Sequence, residues 1–298
     1  MDKTNCVLRL NNLCRSQGKR ELVGHVYLNI APGELVGLIG REGSGKTTLF
    51  DLIRGKRPPS WGSVKIGGHD LKKDRRHALS RLTSMKKKGR FPGFLSGKTY
   101  LALLSRKQGI DPSSRVIKAL RLTRLIPHAN EKISTYSKEM KLCLRLAAAL
   151  IRKPAALLLD EPAEGLDSPG AHDFLSLLRE ICVSEKIGAL FSSRLFFTVQ
   201  EFCHRILVME QGRIVAAGKP RDIKCPPDKL YRISFLGRVP DQNVLLKEKD
   251  IVRVERVTNH SLEMILSTRD ARWLREYMER CGFHVAALFP GRKGWGEI

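Results

Sequence analysis

Short apolar runs alternate with turn-forming residues over the first 40 positions. "CVLRL", "HVYLNI" and "GELVGLIG" each carry the apolar pattern of a strand. "TTLFDLIRG" then has helical spacing and stops at Gly55, and "PPSWGSVKIGG" has the form turn, strand, turn. Residues 98–126 and 138–151 repeat apolar positions at helical intervals. "AALLLD" and "GALFSS" are uninterrupted apolar runs, as expected of strands buried on both faces. "RILVMEQGRIVAAG" reads as a hairpin whose turn includes Gly212.

The pattern changes after "GKPRDIKCPPDK", where Pro226 and Pro227 mark a linker. Strands are expected at 230–236, 251–257, 261–267 and 283–289, with a helix near 269–281. On that helix Trp273, Leu274, Tyr277, Met278 and Cys281 share one face. Packing on a small sheet explains such a face better than a cofactor box does. The expected organisation is an α/β domain over 1–223, with a mixed sheet core and a helical subdomain, followed by a small α+β domain over 224–298.

Charge is the unusual part of the composition. Fifty-four Lys and Arg face 30 Asp and Glu, for a net +24 spread along the whole chain. Such a surface attracts polyanions in general, and nucleic acid or an anionic membrane leaflet in particular. Binding to DNA through charge alone would be weak and steeply salt-dependent. Seven cysteines, an odd number without a CxxC pair, argue for reduced thiols rather than a disulfide framework or a zinc site. No stretch approaches the roughly 20 apolar residues of a membrane helix, and "MDKTNCVLRLNNL" lacks the apolar core of a signal peptide. A cytoplasmic protein is expected.

Two segments carry chemistry. "GREGSGKTT" matches GxxxxGK[ST] from Gly40 to Thr47, after a strand and at the start of a helix. In such a loop Gly40, Arg41, Glu42, Gly43, Ser44, Gly45, Lys46, Thr47 and Thr48 present backbone N–H groups that cradle phosphates at a helix N-terminus. Lys46 brings a positive charge to the outer phosphates and Thr47 offers a hydroxyl to Mg²⁺. "LLLDEP" supplies the second segment: Asp160 suits the metal's surroundings, and Glu161 suits a general base that polarises the attacking water.

With these motifs in place, residues 6 to about 223 resemble the nucleotide-binding subunit of ATP-binding cassette transporters. The P-loop NTPase cassette fold, ATP and Mg²⁺ as cofactors, and hydrolysis of ATP follow from that resemblance. In the family two cassettes close head to tail, each ATP lying between one phosphate loop and the other cassette's signature helix. The resemblance implies a second cassette as partner, a separate transmembrane permease, and a peripheral position at the inner face of the cell membrane. "YSKEM" (136–140) occupies the signature position, so Ser137 is expected at the partner's nucleotide, and Ser168 follows the D-loop Asp167. The YSK form and the segment after "AAGKPRDI" resemble the branch that exports drugs, lipids or polysaccharides.

Four positions depart from the family pattern. Glu139 stands where a glycine would face the partner's γ-phosphate. Its carboxylate gains about 0.3–1 kcal/mol from the helix dipole, but one like-charge pair 5 Å apart costs about 3 kcal/mol at an effective dielectric near 20. Lys87, within "KKKGR", replaces a glutamine and has no acceptor atom to ligate Mg²⁺. Arg194, in "LFSSRL", replaces a histidine; it can steady a phosphate but cannot relay a proton. Gln17 replaces an aromatic residue that stacks on adenine, a contact worth about 1–3 kcal/mol in other base-binding sites.

Three functions compete on these grounds. The first is an ATP-binding subunit that energises an export permease, with slow turnover. A nucleotide-gated regulatory subunit, which closes on ATP and rarely hydrolyses it, is the second; altered positions favour it and Glu161 opposes it. The third is a cassette protein acting on nucleic acid or ribosomes, suggested by charge but without the paired cassettes or long insertions of such relatives. Nucleic acid is therefore not the expected partner.

Overall fold

The structure is a computed structural model that describes residues 6–291, except 19, 41, 86–90, 110, 165, 167, 194–198, 200, 224–229, 246–247, 249–250 and 267–270. The chain divides into two compact units. One comprises the residues up to Glu164 with Gly170–Ile223; the other comprises Gly165–Pro169 and the residues from Lys224 onward.

The first unit is built on two sheets. Strands β1 (Leu8–Gln17), β2 (Arg20–Ile30), β4 (Trp61–Ile66) and β5 (His69–Asp70) pair antiparallel in the order β2-β1-β4-β5. The other sheet has six strands: β3 (Leu35–Ile39), β6 (Leu82–Met85), β7 (Ala156–Leu159), β8 (Gly188–Ser193), β9 (Arg205–Glu210) and β10 (Arg213–Gly218), in the order β10-β9-β3-β8-β7-β6. All its pairs are parallel except the β9–β10 hairpin. Central strands of a parallel sheet need apolar side chains on both faces; every residue of β3 and β7 is buried. Edge strand β10 instead alternates exposed and half-buried positions. Helix α1 (Lys46–Ile53) shares one core with both sheets, through Leu49, Phe50, Leu52 and Ile53 against Leu10, Leu28, Leu158 and Leu190.

A helical layer has its own core. The periodicity over 98–126 resolves into α3 (Gly97–Lys107) and α4 (Pro112–Leu122) rather than one helix. The break has a local cause: Asp111 accepts from Ser113 N at 3.2 Å as N-cap, and Pro112, which lacks an N–H, takes the first helical position. Helix α5 (Lys138–Leu150) packs Leu144 and Ala147 on Leu101, Leu120 and Ile133. Tyr136 is buried in that core and donates its hydroxyl to the His128 carbonyl at 2.6 Å. Helices α2 (Arg75–Ser80) and α6 (Ser168–Glu185) also belong to the described residues, and neither stood out in the sequence pattern.

The second unit places β11 (Leu230–Phe235), α7 (Gln242–Leu245), β12 (Ile251–Thr258), β13 (Ser261–Leu266), α8 (Ala271–Arg280) and β14 (Val285–Gly291) in a β-α-β-β-α-β sequence. The strands are antiparallel in the order β12-β13-β11-β14, the split arrangement of ferredoxin-like units. Leu274 and Met278 are fully buried against Ile233, Leu262 and Met264. Trp273 and Tyr277 are half-buried and stack on each other, with centroids 5.2 Å apart. That face is core, as its spacing indicates, but Cys281 lies at its exposed end.

Among the described residues the cysteines are free thiols, and no helix is long and apolar enough to cross a membrane. Cys225 lies outside the described residues. Burial pushes the Cys182 thiol up to about 12 and Cys143 to about 11. Alkylation of the native protein at pH 8 should therefore modify exposed Cys281 and spare Cys182 and Cys143, as read by mass spectrometry of the digest. Leu144→Ala, which empties a fully buried position of the helical core, should lower stability by about 2–5 kcal/mol in a urea titration.

Candidate nucleotide-binding site

The site is assembled from the C-terminal ends of neighbouring strands. Strand β8 lies between β3 and β7, so the segments that follow β3 and β7 leave the same edge of the sheet on either side of it. Such an edge, between strands whose connections diverge, is where open α/β sheets bind ligands.

Residues 40–45 bridge β3 and α1. Gly43 and Gly45 hold φ of 80° and 104°, and Gly45 is the N-cap of α1. A side chain at Gly45 would press on Leu22 O and Met209 Cε at 3.0 Å and on Gly212 Cα at 3.1 Å. One at Gly40 would collide with the Met209 carbonyl and the Ser44 hydroxyl. Only glycine fits either position. The first intrahelical bond runs from Leu49 N to Gly45 O, so the amides of Lys46, Thr47 and Thr48 precede the helix's own ladder. Lys46 is buried, its ammonium donating to the Gly40 carbonyl at 2.5 Å and to Ser44 Oγ at 3.4 Å. Ser44 is buried, Thr48 half-buried, and Glu42, Gly43 and Thr47 are exposed. Arg41 lies outside the described residues.

The β9–β10 turn holds this loop from behind. Gln211 and Gly212 have φ of 43° and 85°, the positive values of a two-residue hairpin. Gly212 N donates to Ser44 O and Gly212 O accepts from Gly24 N, both at 2.9 Å. The turn thus ties the loop to β2. A side chain at Gly212 would meet the Leu22 carbonyl at 2.6 Å.

Asp160 and Glu161 follow β7, and both are half-buried. Buried Ser192 on β8 links them: its hydroxyl donates to Asp160 Oδ1 at 2.8 Å and accepts from Glu161 N at 2.9 Å. Glu161 has φ of 44°, a backbone region costly for a residue with a side chain. Ser192 was missed in the sequence because "FSS" offers two serines, and only strand register decides that Ser192 turns toward β7.

The remaining sequence candidates are elsewhere. Ser137 belongs to the helical layer, where it caps α5 by accepting from Met140 N at 3.1 Å. Glu139 lies half-buried in the first turn of that helix. Gln17 is exposed at the end of β1, paired with Arg20 across the hairpin. Lys87, Asp167 and Arg194 lie outside the described residues.

Fold and loop together define a phosphate-loop nucleotide-binding cassette. The ABC transporter family matches residues 23–164. YdbJ of Bacillus subtilis, an uncharacterized ABC transporter ATP-binding protein, is 30% identical over 213 residues, 70% of this chain and 68% of its own. The bacitracin transport ATP-binding protein BcrA of Enterococcus faecalis is 30% identical over 209 residues, 70% of this chain and 68% of its own. The linearmycin resistance ATP-binding protein LnrL of Bacillus subtilis is 25% identical over 263 residues, 87% of this chain and 84% of its own. Among solved structures, the cbiO1 part of the Clostridium perfringens cbiONQ ABC transporter complex superposes with a TM-score of 0.68 at 22% identity, covering 73% of this chain and 90% of that one. The chain belongs to the ABC transporter ATP-binding family.

Gly212→Ala tests the buttress. The added methyl and the positive φ introduce strain of about 1–3 kcal/mol, which a shift of the phosphate loop would relieve. ATP affinity should fall by about tenfold in calorimetry, with the circular dichroism spectrum retained. Unchanged affinity would mean that the turn does not set the loop.

Proposed function

We propose that this chain is the ATP-binding subunit of an exporter, energising a permease on a separate polypeptide at the inner face of the cell membrane. The reading is supported chiefly by one observation: the glycine loop after β3, with Lys46 over the Gly40 carbonyl, leaves the same sheet edge as the Asp160–Ser192–Glu161 linkage. The Nod factor export ATP-binding protein I of Paraburkholderia xenovorans, 29% identical over 216 residues, supports the direction of transport, and "YSKEM" supports the branch that exports drugs, lipids or polysaccharides.

Roles follow from chemistry. The loop amides and Lys46 hold the phosphates; a phosphate oxygen would draw the ammonium off the Gly40 carbonyl. Thr47 and Asp160 are oxygen donors of the type that hard cations take, so they fit Mg²⁺, which when bound would neutralise phosphate charge. Ser192 fixes the Asp160 carboxylate and the backbone of Glu161, and Glu161 polarises the attacking water. Ser137 meets the nucleotide of a second cassette, and Arg194 steadies its own γ-phosphate. The boundary at 223/224 separates the cassette from an accessory domain that supports dimerisation; LnrL, which matches 87% of the chain, extends into that domain.

Turnover is slow in this reading because Glu139 brings a carboxylate toward the partner's γ-phosphate, and Lys87 and Gln17 remove a metal ligand and a stacking ring. The half-buried position of Glu139 in the first turn of α5 also favours a second reading, a nucleotide-gated subunit with little hydrolysis.

Lys46→Ala should abolish Mg·ATP binding in calorimetry. Glu161→Gln should keep binding and lose phosphate release; equal release from wild type and Glu161→Gln would favour the gated subunit. Glu139→Gly removes a repulsion of about 3 kcal/mol at each of the two ATP sites of a closed homodimer and should tighten ATP-dependent dimerisation by at least about 100-fold in analytical ultracentrifugation. No change would remove Glu139 from the interface.

A further inference from the structure

Away from the phosphate loop, one group of side chains has the composition of a metal site. His69 on β5, Asp74 at the N-cap of α2 and His77 on α2 offer ligand atoms that all lie within 4.8 Å of one another. His69 Nδ1 stands 2.9 Å from Asp74 Oδ2, and His77 Nδ1 stands 2.7 Å from Asp74 Oδ1. The two imidazoles are nearly parallel, with centroids 5.4 Å apart and planes inclined by 28°. They clasp one carboxylate from two sides.

We propose that His69, Asp74 and His77 bind one divalent transition-metal ion, of the Zn²⁺ or Ni²⁺ kind. The ligand set is two imidazoles and one carboxylate, which suits such ions and leaves positions for water. A metal about 2.0–2.1 Å from nitrogen and oxygen would, at the observed N···O separations, subtend angles of about 80–90°. Those are the angles of an octahedron's edges, and both oxygens of Asp74 would be used. The nitrogens need to approach within about 4 Å of each other, twice the metal–nitrogen distance, a small movement for side chains that are 36% and 67% exposed. Binding through Nδ1 takes the tautomer of each imidazole that carries its proton on Nε2.

The surroundings narrow the choice of ion. Lys72, Lys73, Arg75 and Arg76 flank Asp74 in sequence. Arg75 is turned aside, donating to the Gly55 carbonyl at 2.7 Å. Asp70 is occupied by the backbone amides of Lys72 and Lys73 at 2.9 and 3.1 Å. Such a basic neighbourhood offers no long-range attraction to a cation, so Ca²⁺ and Mg²⁺, held mainly by charge and oxygen, are disfavoured. An ion that binds here must gain its affinity from direct bonds to imidazole. Its effect would be to tie β5 to α2, the helix that leads into β6.

The test is calorimetric titration of Zn²⁺ and of Ni²⁺ into the nucleotide-free full chain, with His69→Ala, His77→Ala and Asp74→Asn alongside. Asn is as good a helix N-cap as Asp, so Asp74→Asn keeps the cap while removing the charge. A melting curve in metal-free buffer identifies folded variants, independently of the ATP reading. One ion per wild-type chain is expected, bound at least about tenfold more weakly by each variant, because loss of even an outer partner costs ~10–100-fold at metal sites. Absence of binding by wild type overturns the proposal, as does an isotherm that folded variants reproduce unchanged.

Discussion

The contact between Gly45 and Gly212 sets the geometry on which the remaining parts depend. A backbone at φ 104° is packed against a second glycine and the Leu22 carbonyl, with no room for a side chain on either. This close approach lets three separate pieces of chain, β2, the β9–β10 turn and the loop after β3, meet behind the first turn of α1. The amides of Lys46, Thr47 and Thr48 precede the helix's own ladder, the arrangement that suits a phosphate at a helix N-terminus. Apolar burial holds the sheet together but has no direction; the glycines supply the shape.

The second half of the site rests on register. In a parallel sheet the residues at the ends of adjacent strands are set side by side, and β7 and β8 place Asp160 and Ser192 in hydrogen-bond contact. Ser192 spans the gap between a carboxylate and the amide of a strained Glu161. One hydroxyl therefore fixes both acidic residues. That linkage joins a buried strand to two half-buried acidic residues.

Much of this was legible in the sequence. The strand–loop–helix context of "GREGSGKTT", the apolar run before Asp160, and the Gly212 hairpin all announce themselves through local pattern. What escaped was set by strand pairing in one case and by local folding in the others. Ser192 matters because β8 pairs with β7, and His69, Asp74 and His77 group because a short strand and a six-residue helix fold back on each other. The break between α3 and α4 was present in Asp111 and Pro112, yet apolar spacing runs on across it and masks the stop. Cys281 continues a helical stripe past the last covered turn.

Gln17, exposed at the hairpin end, bears on where nucleotide affinity comes from. Under the proposed function Gln17 offers no aromatic face to adenine, so the loop after β3 and Lys46 carry the binding. Calorimetry with ATP, ADP, AMP and adenosine tests this most directly. The account predicts that ATP and ADP bind while AMP and adenosine bind far more weakly; adenosine binding as tightly as ATP would contradict it.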